Sequence, residues 1–430
     1  MKFNKTQTVI AAFVAAIMLV SAPAIAKKKT AEPKGPTVEE ALKAQQAEIE
    51  NLKKEIGELK VSKGGQSGYD HGFFIKSQDD LYAFKVRFFA EIFYEYDANE
   101  DAPDVNTFGI QRARLLLSGN VFNKNLTYMV MTEMATQYSV PVNNGVTIYT
   151  VQDSGGDTST FTVTDRTDRN FRLLYLWAQY RFADEFQVRF GEFIPPTEYF
   201  FRASNLLQFE NFPIIATAEP FTPNFQTGLD LMGTIGKKLD YEIFAVNGSN
   251  FDNRNFNKSF RIGPCITYNI LGKPELGVAD VNYSEKPQLA LTLSGAYERW
   301  DYPVAAPASI NAGDTSFRGQ TNLVFRYKGF SFVPEFIVFY NKTQHYKHYA
   351  MAAQAGYFVI PKHLELAAQG NLLKYSGPQN DYYEISGGLN YYFYGHPLKL
   401  QADYSALINK LPGGDQLNHR IRVGLQAGFF

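Results

Sequence analysis

Arg112 and Arg114 stand two residues apart, as do Arg420 and Arg422, and Arg318 and Arg326 are separated by eight. Even separations put each set on one face of an extended strand, because successive side chains alternate. Arg87 and Arg189 occupy comparable places in their own runs, beside Lys85 and Glu91 in the first of these. Glu133, Asp230, Glu335, Glu365, Glu384 and Asp403 supply carboxylates on the matching faces of other runs. Rows of guanidinium groups facing carboxylates would set up a transverse field able to sort small solutes by charge. A plainer reading is that charged side chains simply line any water-filled interior. A second set lies in PPTEYFFRASNLLQFENFPIIATAEPFTPNFQ (195–226), where Glu198, Glu210 and Glu219 are set against Arg202 alone. Its aromatic and aliphatic residues make it too apolar to stay in water, so the segment is expected to fold inward as a constriction.

Other chemistry finds little support. His345 and His348 are an odd number of residues apart and fall on opposite faces of a strand, which is poor geometry for sharing a metal. The six histidines are scattered, with no visible Ser–His pair, and neither a glycine-rich phosphate loop nor a paired-cysteine motif occurs. No cofactor, metal site or enzymatic activity is therefore expected. A formal charge of −1 gives no sign of nucleic-acid binding. Cys265 is the single cysteine, so there is no disulfide framework.

The elements that would position these groups read as strands. In LYAFKVRFFAEIFYEY (81–96) the even positions are all apolar, and the odd ones hold Lys85, Arg87, Glu91 and Glu95. Such a run suits a tilted membrane-crossing strand with one face to lipid and one to water. Sixteen candidates follow, near 81–96, 108–121, 126–138, 169–181, 186–193, 227–236, 240–247 and 260–269, then 288–300, 315–328, 330–340, 345–358, 363–375, 381–393, 398–407 and 417–430. Short connections (FNKN, FADE, GKKL, KG, IPK, YGHP) alternate with long ones at 97–107, 139–168, 194–226, 248–259, 301–314, 376–380 and 408–416. An even count and this alternation are the marks of a transmembrane β-barrel. Two connections break the rule: 270–287 is long where a short turn is expected, and 341–344 is short. The composition agrees, with 36 Phe and 27 Tyr against a slightly negative mean hydropathy. A soluble sandwich would not account for so many long strands.

Residues 1–26 read as a signal peptide. Lys2 and Lys5 precede the apolar run Val9–Val20, and SAPAIA places Ala24 and Ala26 at the cleavage site. A twelve-residue helix rises about 18 Å, short of a ~30 Å hydrocarbon core, so the run is no spanning helix. Cleavage removes two lysines and no acid, moving the formal charge from −1 to −3. Within 27–68, Val38, Leu42, Gln45, Ile49, Leu52, Ile56 and Leu59 step alternately by four and three, a heptad seam that self-association would bury. KGGQSG (63–68) is expected as a flexible linker to a barrel over 69–430.

FGIQRARLLLSGNVFNKNLTY (108–128), VRFGEFIPPTEYF (188–200) and FTPNFQTGLDLMGTIGKKLDYEIFAVNG (221–248) resemble segments of the phosphate-selective porin O and P family. The resemblance is strongest over 105–250 and covers the rest mainly in architecture. It implies a 16-stranded antiparallel transmembrane barrel working as a homotrimer among outer-membrane lipids, with a short N-terminal coiled-coil helix in some members. It also implies a closing strand that serves the barrel assembly machinery. One departure is visible at HRIRVGLQAGFF: the alternating apolar residues share parity with Phe429, whereas the family's ending shares it with the final residue, here Phe430. The acidic 195–226 loop departs from a basic phosphate gate. Two functions stay open: a passive channel for small ions and solutes, with anion or phosphate preference as its sharper form, or a non-conducting structural or adhesive barrel tethered through its coiled coil.

Overall fold

The computed structural model describes residues 65–135, 146–152, 158–164, 172–209, 213–248, 258–300, 311, 313–377 and 380–430, together with Lys43, Gln46, Ala47, Ile49 and Glu50. It falls into two units, Met1–Lys63 and Gly64–Phe430. The five described residues of the first unit are helical. The expected signal peptide, and every seam residue except Ile49, lie outside the described residues.

The second unit begins with a hairpin of β1 (Gln66–Tyr69) and β2 (Phe73–Lys76) and continues into β3 (Ala83–Ala98), β4 (Val105–Asn120) and β5 (Leu126–Glu133). A separate two-stranded sheet, β6 (Val146–Gln152) with β7 (Thr158–Thr164), lies within the expected 139–168 loop. Next come β8 (Arg172–Arg181), β9 (Gln187–Phe193), β10 (Gln226–Ile235), β11 (Leu239–Val246), β12 (Arg261–Leu271) and β13 (Gln288–Arg299). The chain ends with β14 (Thr315–Tyr327), β15 (Phe330–Asn341), β16 (Tyr346–Ile360), β17 (Leu364–Lys374), β18 (Tyr382–Tyr392), β19 (Leu398–Leu411) and β20 (Gly414–Phe429). Each strand pairs antiparallel with its neighbour, and β20 returns to β3 from His419↔Ala98 to Phe429↔Phe88. Leaving aside the β1–β2 hairpin and the β6–β7 sheet, sixteen strands of the described residues close on one another, and closure leaves no long edge unpaired.

The period of two sorts the side chains. Along β14, Ser316, Arg318, Gln320, Asn322 and Arg326 are buried on the inner face, while Phe317 and Tyr327 stand exposed outside. Ile92, Phe108, Ile110, Leu293, Ile385 and Leu425 are likewise exposed. An apolar exterior around a charged interior inverts a soluble protein and fits a barrel whose outer face meets lipid. A slip of one residue would turn the arginines into that apolar belt, so the register is strongly specified.

Strand ends shift by one to a few residues throughout, and four departures from the sequence reading go further. Gln66–Gly68, expected within a linker, belong to β1, because β3 runs past the end of β20 and leaves Ala83–Val86 without a partner from that strand. β2 takes this edge, pairing Phe73↔Val86 through Lys76↔Ala83, and the Phe73 ring meets Phe429 at 5.2 Å where the two strands abut. The 408–416 loop shrinks to Pro412 and Gly413, since β19 and β20 stay paired up to Leu411↔Gly414. The β6–β7 hairpin stands where only a loop was expected. At the C-terminus the β19–β20 register runs without a bulge, Phe429 faces outward beside Phe88, and Phe430 turns to pack on the inward Phe89 at 5.2 Å. The odd parity thus comes from one residue added beyond the strand.

Candidate functional site

The segment between β9 and β10 enters the barrel. It forms a short helix α1 (Tyr199–Arg202), a 3-10 turn (Ser204–Leu206) and a second short helix α2 (Ile214–Thr217). Glu198 caps α1, its carboxylate accepting from the Phe200 N–H at 3.1 Å and from the Phe201 N–H, and Glu335 of β15 accepts the Tyr199 N–H at 2.8 Å. Two carboxylates thus satisfy backbone donors that a helix start leaves open. Phe200, Ala203, Leu207, Ile215, Ala216 and Phe221 bury themselves against Val324, Val333, Ile337, Phe339, Ala350, Ala352 and Leu373. These inward residues form an apolar patch in an otherwise polar wall, and the hydrophobic effect draws the segment onto it.

Polar pins complete the docking. Gln208 donates to Ser331 Oγ at 3.0 Å and to Glu365 Oε1 at 2.6 Å, and the Lys399 ammonium reaches the Leu207 carbonyl at 2.9 Å. On the other side Arg202 pairs with Glu242 of β11 at 3.2 Å, and Arg114 of β4 donates to Ser204 Oγ at 3.2 Å. Contacts to β4 and β11 as well as to β14–β19 mean that the segment crosses the lumen. Tyr375 donates to the Glu219 carbonyl at 3.3 Å. Glu210 lies outside the described residues.

The eight arginines singled out from the sequence take three kinds of place. Four are ion-paired along the wall: Arg112 with Glu91, Arg114 with Glu133 at 2.7 Å, Arg420 with Asp97 at 2.7 Å, and Arg422 with Glu95. Arg189 sits 3.8 Å from Asp230, donates from Nε to Gln179 Oε1 at 3.2 Å, and lies over the Trp177 and Phe193 rings. Two hold backbone: Arg318 donates to the Thr222 carbonyl at 3.2 Å and to Pro220, and Arg326 donates to the Gly277 carbonyl. Arg87 is different. Its Nη2 approaches Ser118 Oγ at 3.4 Å, and among the described residues it makes no ion pair.

Beyond Glu95, already visible on the odd face of 81–96, several inward charges were passed over in the sequence: Asp97, Glu242, Arg261, Glu298 and Lys399. Arg261 and Glu298 form a buried pair at 2.8 Å, and Arg261 also donates to the Gly248 carbonyl. The same parity rule that picked out Arg112 marks all five. His348 is buried on the inner face, accepting the Ser376 N–H at 3.2 Å and stacking on Phe339. Among the described residues no group of three or more His, Cys, Asp or Glu side chains could hold a metal ion.

No family model matches the chain, and no curated protein matches its sequence. Solved structures do. The anion-selective porin from Comamonas acidovorans is 12% identical, with a TM-score of 0.52 over 81% of this chain and 100% of that one. The outer membrane channel DcaP of Acinetobacter baumannii is 10% identical, with a TM-score of 0.54 over 82% of this chain and 99% of that one. At such identities the likeness is one of fold: a closed 16-stranded antiparallel barrel.

Proposed function

We propose that this chain is an outer-membrane porin, a passive channel for small hydrophilic ions and solutes. The observation that carries the reading is a closed barrel with an apolar exterior and charged inner wall, crossed by an inward-folded segment pinned from opposite sides. Inner-face arginines and carboxylates keep such a path wet, and the crossing segment narrows it. The two similar structures, an anion-selective porin and an outer membrane channel, support it. The short-turn end then faces the periplasm, export uses the signal peptide ending at Ala26, the working state is a homotrimer helped by the 38–59 seam, and the last strand addresses the assembly machinery.

Charge selection is modest on this reading and favours anions through Arg87. Most other arginines are neutralised by carboxylates or occupied with loop carbonyls, which weighs against strict phosphate specificity. The alternative, a non-conducting structural barrel, draws support from the depth to which inward segments fill the β14–β19 side. Swelling of liposomes carrying the purified protein tests the proposal. Entry of small sugars with a size cut-off is expected; absence of swelling from heat-modifiable, folded protein would remove it.

A further inference from the structure

The connection between β12 and β13, residues 272–287, is long at the end of the barrel where the described turns are short. It turns inward. Val278 is fully buried, with Ala279 and Asp280 nearly so. Val278 joins the same apolar cluster as Phe200 and Leu207, and Ala279, Val281 and Tyr283 pack on Phe358 and Tyr392.

Its tip meets the crossing segment directly. The Tyr199 hydroxyl donates to the Gly277 carbonyl at 2.5 Å and accepts the Gly277 N–H at 3.2 Å. The Val278 N–H donates to the Leu206 carbonyl at 3.2 Å, and Arg326 reaches the Gly277 carbonyl from the wall. Gly277 has φ +127°, a conformation that favours glycine, and a Cβ there would press within 3.1 Å of Leu206 Cβ. The base is fastened too: Asp280 accepts the Gly329 N–H at 2.8 Å and the Ser284 N–H, and the Lys328 N–H donates to the Ser284 carbonyl at 2.9 Å.

We infer that 272–287 is a second constriction, docked on the 194–225 segment so that the two together set the cross-section of the path. Tyr199 and Arg326 are its positioning residues, since both act on Gly277. Solute then passes along the β3–β5 and β8–β11 side, where Arg87, Arg189 and Arg202 remain partly accessible. This inference rests on the channel reading, and its test separates the two.

Unit conductance is recorded for the full mature chain and for a variant lacking 275–284, both verified as folded by heat-modifiable migration. A rise of about twofold in the variant is expected when one of two inward segments leaves the cross-section. Conductance in both proteins with no change would overturn the second constriction and leave the channel. A silent parent with a conducting variant would do the reverse, upholding the turn as an obstruction and sinking the channel reading. Should the deletion fail to fold, Val278→Cys in a Cys265→Ser background gives an independent readout. Protection of that thiol from a water-soluble maleimide in the folded protein is expected; labelling as fast as after unfolding would overturn the docking.

Discussion

Glu95 on the first barrel strand and Arg422 on the last form a buried ion pair across the seam where the barrel closes, with Arg422 Nε donating to Glu95 Oε2 at 2.7 Å. The guanidinium also lies 4.4 Å over the Phe93 ring, and Arg420 Nε approaches the same carboxylate at 3.2 Å. Charge therefore reinforces the register that the β20–β3 hydrogen bonds define, and a slipped closure would lose it.

Arg422→Ala is expected to destabilise the folded barrel by about 3 kcal/mol, the low end for breaking a buried pair, because Arg420 remains near Glu95. Urea unfolding in vesicles reads this. Glu95→Gln combined with Arg422→Gln should cost less than Arg422→Ala alone; an equal or larger loss would show that the two residues do not act as a pair.

Arg87 differs from the other singled-out arginines in having neither an ion pair nor a backbone carbonyl partner among the described residues. Arg87→Gln should therefore move the zero-current potential in a KCl gradient toward the cation side. Arg112→Gln made together with Glu91→Gln should leave it nearly unchanged, since that pair carries little net charge. Equal shifts from both variants would refute the distinction between paired and unpaired arginines.

The crossing segment is held by burial of Phe200, which is fully enclosed. Phe200→Ala should weaken its docking by about 3–5 kcal/mol, the range for large-to-small changes in a core. The barrel itself should persist. Limited proteolysis within 194–225, with unchanged heat-modifiability, is the expected result; resistance equal to the parent would contradict it.

Asp80, in the turn between β2 and β3, sits 2.9 Å from Lys124 Nζ and 3.0 Å from Lys76 Nζ. Lys124 first and Lys76 next hold its carboxyl below the ordinary 3.8. A depressed carboxylate stabilises the fold above its unfolded value and loses that contribution as pH falls through the folded one. Protection of the Ser77–Tyr82 turn amides from exchange should thus be flat between about pH 5 and 8 and decline below about pH 4. Asp80→Asn should lessen the decline and leave the part due to Asp79. The Asp79 carboxylate accepts the Leu81 N–H at 3.1 Å in the same turn and is likewise held below its ordinary value. A loss of protection centred near neutrality would exclude Asp80 as its source.

Much of this was legible in the residues. Alternation in 81–96 and the arginine spacings gave the inner face, and the apolar run from Tyr199 to Ile215 marked a segment unsuited to water. Partners were less accessible. That Arg318 holds the Thr222 carbonyl and Arg326 the Gly277 carbonyl depends on which strands meet across the closed barrel, and nothing local encodes it. The β1–β2 hairpin was hidden because four-residue strands carry too little periodicity and KGGQSG has the composition of a linker. The 272–287 connection was visible as an exception in length. Its inward direction was not, although the apolar pair Val278–Ala279 beside Gly277 was available as a signal.

Single-channel recording of the purified mature protein in planar bilayers under a KCl gradient tests the central claim most directly. Discrete conductance steps arriving in groups of three, with a small anion-side reversal potential and little block by added phosphate, are predicted. Folded, heat-modifiable protein that gives no steps would contradict the channel.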